Sequence, residues 1–183
     1  ANELKYFPNQ VWSTYGMTET LSHIALRRLN GKDASDWYTP FDNVRIRLSE
    51  EETLIIYAPN VCAAELATND IAEINEEGKF RILGRKDNTI NSGGVKVQME
   101  QVEALLREHL SIPIQITAAP DTKFGEIVVL LYPKVEDVEA IKAVCEKELP
   151  LYWQPKRYIP VETLPLTGTG KPDRATARQI AKK

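Results

Sequence analysis

The texture of the chain changes once, after Gly84, and that change limits the architectures open to it. Upstream, short apolar runs alternate with turn residues. Residues 10–14 read as a strand entering a Tyr15-Gly16 turn, residues 44–48 alternate apolar and polar side chains, and residues 53–57 form a more continuous apolar strand. Residues 71–74 and 80–83 flank a hairpin bend carrying Gly78. Such a run of short strands predicts a small antiparallel β subdomain. Residues 1–30 read as a segment of an α/β domain.

Downstream, strands alternate with helices. Residues 99–110 predict a helix with Val102, Leu105, Leu106 and Leu110 on its apolar face and Glu103 and Arg107 on its wetter side. Strands at 114–118 and 126–132 follow, then helices at about 136–149 and 173–182. This pattern predicts a compact α+β unit with helices packed on a small sheet. The fold class is therefore α+β, with a boundary near Lys86-Asp87.

A chain of 183 residues, 43% hydrophobic, suits one large domain or two small ones. Its net charge of −3 and lack of a long basic block argue against broad binding of nucleic acid or anionic membrane. No apolar stretch reaches membrane-spanning length, and no signal peptide is visible. Cys62 and Cys145 are too few for a disulfide framework, so buried thiols in a reduced, cytoplasmic protein are expected. His23 and His109 lack a second ligand at zinc spacing, and His109 reads as a surface residue. The chain has no initiating Met and reads as an excised fragment.

Three short runs carry chemistry. The last is Leu164-Pro-Leu-Thr-Gly-Thr-Gly-Lys-Pro-Asp-Arg174, where Gly168 and Gly170 flank Lys171 in a flexible loop. A lysine on such a loop is suited to meeting a phosphate or a carboxylate. It is not a Walker A loop, because one residue separates the glycines and Pro172 follows the lysine. The first run, Tyr15-Gly16-Met17-Thr18-Glu19, offers a flat ring, a close backbone approach, a hydroxyl and a hard oxygen ligand. The second pairs Thr68-Asn69-Asp70 with Gly84-Arg85-Lys86-Asp87 and the loop Ser92-Gly93-Gly94. Each run alone is a weak signal: the lysine loop and the Tyr15 turn read sooner as solvated turns, and Asp70 and Arg85 as a solvated turn residue and a surface ion pair.

In order and spacing the three runs resemble the adenylate-forming family: acyl-CoA synthetases, peptide-synthetase adenylation domains and firefly-type luciferases. The resemblance covers nearly the whole chain and matches the last third of such an enzyme. It implies that residues 1–84 end the large N-terminal adenylation domain, 85–87 form a hinge and 88–183 form the mobile C-terminal domain. It further implies that Tyr15 stacks on adenine, Thr18 contacts phosphate, Asp70 and Arg85 bind ribose, and Glu19 helps hold Mg²⁺. Asp87 takes the hinge position, Lys171 serves adenylation, and Ser92, Gly93 and Gly94 face CoA. His23, four residues after Glu19, lines the substrate pocket on this reading.

Within the family, the run from Tyr15 to Leu26 looks most like o-succinylbenzoate–CoA ligases of menaquinone biosynthesis. The implied partners are a carboxylic acid, ATP with Mg²⁺, CoA, and the N-terminal part of the same protein, without which the fragment is expected to be inactive. A general acyl- or aryl-CoA synthetase, a peptide-synthetase adenylation domain and a non-catalytic module of the same fold are the alternatives. Three departures stand out: Asn69 where the family usually has glycine, Gln101-Val102-Glu103 where it commonly has Glu-Ile-Glu, and residues 58–68, where many acyl-CoA synthetases carry a longer aromatic segment. Asn tolerates left-handed backbone angles, so a turn at Asn69 is expected to survive.

Overall fold

A computed structural model describes Leu4 and residues 7–182. The chain divides into two compact units, one closing at Lys86 and the other opening at Asp87. Together they hold three sheets and three α-helices among the described residues, a mixed α+β fold. None of those helices is long and apolar enough to cross a membrane.

The first unit is built of strands. β1 (Trp12–Gly16), β2 (His23–Arg28) and β3 (Thr39–Pro40) form an antiparallel sheet in that order. β4 (Arg45–Leu48), β5 (Thr53–Tyr57), β6 (Leu66–Ile74) and β7 (Phe80–Arg85) form an antiparallel meander. Paired backbone hydrogen bonds between Tyr38 and Phe80, of 2.6 and 3.0 Å, join the two sheets. Their shared core is Ile24, Ala25, Leu54, Ile56, Ala58, Ala72 and Phe80. The first strand runs two residues further than the sequence predicts, through Tyr15 and Gly16, because β2 continues to pair with it.

The second unit contains β8 (Thr89–Ser92), β9 (Val95–Gln98), α1 (Met99–Arg107), β10 (Gln115–Asp121), β11 (Gly125–Pro133), α2 (Val138–Glu148), β12 (Arg157–Val161) and α3 (Arg174–Ala181). The sheet runs β10-β11-β8-β9, with β12 parallel to β11. One face packs Ile116, Val128 and Leu130 against Val102 and Leu106 of α1 and Ile141 and Cys145 of α2. The opposite face packs Ala119, Val129 and Leu131 against Ala177 and Ala181 of α3. Burial on both faces explains why the sequence of β11 is a continuous apolar run.

The apolar face of α1 is rotated from the expected one. Leu105 is 37% exposed, whereas Glu103 is only 5% exposed. The carboxylate is drawn inward by two donors, the Ile116 amide at 2.8 Å and the Arg174 guanidinium. A period-based reading cannot see partners that lie 13 and 71 residues away.

Candidate functional site

In the first unit, side chains from three segments converge. β1 delivers Tyr15, β6 delivers Asp70, and the end of β7 delivers Arg85 directly across from Asp70 in the antiparallel register. The Tyr15 hydroxyl donates to Asp70 Oδ2 at 2.5 Å, and Arg85 Nη1 donates to Asp70 Oδ1 at 3.0 Å. Thr68 shapes this strand: its hydroxyl donates to the Leu54 carbonyl at 2.8 Å and accepts the Asp70 amide at 3.1 Å. The Tyr15 ring lies edge-on to Phe80, with centroids 5.1 Å apart, and tilted against Tyr38. Burial, and then the bond to Asp70, push the phenol well above the ordinary tyrosine range.

Asp70 and Asn69 lie within β6 and not at a turn. Among the described residues other than glycine, only Leu21 and Glu52 have positive φ. Asn69 therefore needs no left-handed backbone, and an extended strand holds it instead of the expected turn.

Beyond Tyr15 the chain turns sharply. A short 3₁₀ helix, Thr18–Thr20, carries the exposed Thr18 and Glu19, and the exposed His23 opens β2 opposite Gly16. Thr20, fully buried, holds the turn: its Oγ1 accepts the Met17 amide at 3.1 Å and lies 2.7 Å from the Ser22 carbonyl, to which it donates. Gly16 is fixed by space, since a Cβ there would stand 2.5 Å from the Ser22 carbonyl oxygen. The structural work of Thr20 was missed in the sequence, although a threonine three residues after Met17 is a legible turn signal. Glu19 offers one hard oxygen ligand on an open surface, and among the described residues no group of three or more His, Cys, Asp or Glu is gathered to hold a metal ion.

Between the units, Lys86–Asn88 is a 3₁₀ turn containing Asp87, and Lys86 Nζ pairs with Glu51 at 2.6 Å. In the second unit, β8 and β9 meet in a two-residue turn whose Gly93 and Gly94 have φ of 59° and 86°. Two consecutive positive φ values strongly favour glycine. The Gly93 amide donates to the Phe124 carbonyl at 2.9 Å, which ties this turn to the β10–β11 hairpin. Ser92 is buried beneath it.

Lys171 sits on a closed turn and not on a slack loop. The Thr167 amide donates to the Lys171 carbonyl at 2.7 Å, and the Lys171 amide donates to Thr167 Oγ1 at 3.2 Å. Leu166 and Pro172 form a bridge behind it, and Gly170 has φ 78°. The Lys171 side chain is exposed. Asp173 then caps α3, its Oδ1 accepting the Thr176 amide at 3.0 Å. The first unit thus gathers Tyr15, Asp70 and Arg85 with the Thr18–His23 turn beside them, and the second carries Ser92, Gly93, Gly94 and Lys171.

Most of the chain resembles known proteins. A 2-succinylbenzoate–CoA ligase of Staphylococcus epidermidis is 28% identical over 186 residues, covering 88% of this chain and 39% of that protein. The medium/long-chain-fatty-acid–CoA ligase FadD8 of Mycobacterium tuberculosis is 34% identical over 125 residues, covering 62% of this chain and 22% of that protein. The o-succinylbenzoate CoA synthetase of Bacillus subtilis, solved with the acyl-adenylate OSB-AMP, superposes with a TM-score of 0.78 at 22% identity, covering 96% of this chain and 42% of that one. No family model matches. The chain is a partial match to AMP-forming acyl-CoA ligases, over their C-terminal part, and spans about two fifths of the length of the 2-succinylbenzoate–CoA ligase.

Proposed function

We propose that this chain is the C-terminal portion of an ATP-dependent carboxylate–CoA ligase acting on o-succinylbenzoate. The observation that carries the reading is the Tyr15–Asp70–Arg85 cluster. Each carboxylate oxygen of Asp70 receives one donor from protein, at 2.5 and 3.0 Å, and keeps a further acceptor site. Two free acceptor sites on one carboxylate suit the two hydroxyls of a ribose, with Arg85 beside them. Tyr15 presents its ring to adenine and the exposed Thr18 hydroxyl meets phosphate. Glu19 would hold Mg²⁺, which would neutralise phosphate charge. His23, next to Gly16, borders the acid.

In the first half-reaction a carboxylate oxygen of the acid attacks the α-phosphorus, and the bond to pyrophosphate breaks. Lys171, exposed on a rigid turn, neutralises the negative charge that gathers in that transition state. In the second, the CoA sulfur attacks the acyl carbon and AMP departs. The Ser92-Gly93-Gly94 turn, with no side chain on its glycines, lets a pantetheine arm pass close to backbone. Asp87, the first residue of the second unit and part of the 3₁₀ turn that crosses the division, is the pivot for exchanging these two surfaces.

The choice of acid is supported by likeness to the staphylococcal protein. The likeness to FadD8, higher in identity over a shorter stretch, favours a general acyl-CoA synthetase as the second reading. The test is CoA-thioester formation by the full-length protein with ATP, Mg²⁺ and CoA, comparing o-succinylbenzoate with benzoate, acetate and a medium-chain fatty acid. Preference for o-succinylbenzoate is expected. Turnover of another acid alone would replace the substrate and keep the reaction, and no thioester or AMP from any acid would defeat the reading.

A further inference from the structure

The turn that carries Lys171 is closed by its own hydrogen bonds, but its placement on the second unit depends on the helix that follows it. Residues 166–172 are all exposed, and α3, which follows, buries fully only Ala177 and Ala181. Ile180 is half-buried against the same core, but the fully buried side chains of this helix are small and offer little shape to lock its position. Its N-terminus is instead fixed by charge. Arg174, the first residue of α3, lays its guanidinium across the buried Glu103 carboxylate, with Nη1–Oε1 2.5 Å and Nη2–Oε2 2.9 Å. Nη1 also donates to the Ile116 carbonyl at 3.0 Å, and Glu103 Oε1 accepts the Ile116 amide at 2.8 Å. Side-chain exposure is 18% for Arg174 and 7% for Glu103.

A buried ion pair is weak evidence for stability, because desolvation cancels much of the attraction. A planar two-point fork does fix orientation and register, which a lysine ammonium cannot do. The fork also has a second arm. Arg174 Nη2 lies 3.6 Å from Glu100 Oε1, the same oxygen that accepts from Asn88 Nδ2. The other Glu100 oxygen, Oε2, is buried without a hydrogen-bond partner. Asn88 directly follows Asp87. One polar network, Asn88–Glu100–Arg174–Glu103, therefore runs from the start of the second unit to the base of the lysine turn.

We propose that Glu103 and Arg174 are positioning residues that fix the Lys171 turn, and that Glu100 ties this clamp to the segment after Asp87. The lysine then travels with that segment as one body. The proposal rests on the reading of Lys171 as the adenylation lysine, and its test separates the two.

Arg174→Lys keeps the charge and loses the fork, and Glu103→Gln keeps the shape and loses the charge. Amide hydrogen exchange on the chain reads the clamp without any ligase activity. Exchange at Thr167, Gly170 and Lys171 is expected to accelerate in both variants while α2 keeps its protection. In the full-length protein, acid-dependent ATP–pyrophosphate exchange is expected to fall about 100-fold, the scale of a misplacement near 1 Å. Thioester formation from preformed acyl-adenylate is expected to stay near wild type.

Unchanged protection of the turn in Arg174→Lys overturns the positioning role, as does an equal loss in both half-reactions. Should Glu103→Gln unfold the unit, Arg174→Lys alone decides. A wild-type protein that supports no pyrophosphate exchange with any acid would sink the ligase reading and leave the exchange result to judge the clamp.

Discussion

Tyr15 and Asp70, 55 residues apart in sequence, are joined by a 2.5 Å hydrogen bond from the phenol to the carboxylate. The bond ties the sheet that carries the Tyr15 turn to the meander that carries Asp70 and Arg85. It needs a protonated phenol, so burial and Asp70 both raise the Tyr15 pKa. A raised folded-state pKa means this stabilisation is complete below the ordinary tyrosine value, about 10, and is lost as pH rises through the folded value.

Tyr15→Phe keeps the ring against Phe80 and removes the bond. We expect the first unit to lose about 1.5–3 kcal/mol, as for a hydrogen bond to a charged acceptor. Urea unfolding checks this, and alkaline absorbance titration should lose one late-titrating tyrosine. An unchanged midpoint would mean the bond carries no net stability.

Asp70→Asn removes the charged acceptor and substitutes one donor for one acceptor. The KM for ATP of the full-length protein should rise about 10- to 100-fold, the equivalent of a charge-assisted hydrogen bond. Direct binding of AMP by calorimetry gives the same comparison without turnover. Equal affinity in mutant and wild type would remove Asp70 from the nucleotide site.

Lys171→Ala should lower adenylation about 100- to 1,000-fold, the range for removing one transition-state donor. Thioester formation from preformed adenylate should be nearly unaffected. Equal losses in both steps would contradict the assignment.

Gly16→Ala puts a Cβ 2.5 Å from the Ser22 carbonyl oxygen, a fixed backbone atom. The overlap should cost about 1–3 kcal/mol, the usual range for overpacking. A thermal melt reads the loss, and Thr20, whose hydroxyl bonds on both sides of this turn, should report it through its amide shift.

Asp173 caps α3, and the bonds from the Thr176 amide and hydroxyl hold its carboxyl below the ordinary value of 3.8. A lowered folded-state pKa means the cap contributes above the ordinary value and is lost as pH falls through the folded one. Exchange of the Thr176 amide should therefore accelerate in acid ahead of the core of β11. In Asp173→Asn that acid step should disappear.

Much of the architecture was legible in local pattern. The strand alternation at 44–48, the apolar run of β11 and the last helix beginning near Asp173 each state their environment within a few residues, because side-chain period is local. The three chemical runs were legible as motifs. Their convergence was not, since Tyr15 and Asp70 meet only through antiparallel register and the Tyr38–Phe80 bridge.

Residue order by itself determined the α+β class, the position of the change in texture and the identity of the reactive side chains. Tertiary structure alone decided that Glu103 turns inward while Leu105 faces water, that Asn69 lies in a strand, and that Lys171 stands on a hydrogen-bonded turn. The physical reason is shared by all three. A buried charge is tolerated only where a distant partner meets it, and a strand or turn closes only where a remote backbone supplies its hydrogen bonds. Arg174 lies 71 residues from Glu103, beyond the reach of any local pattern.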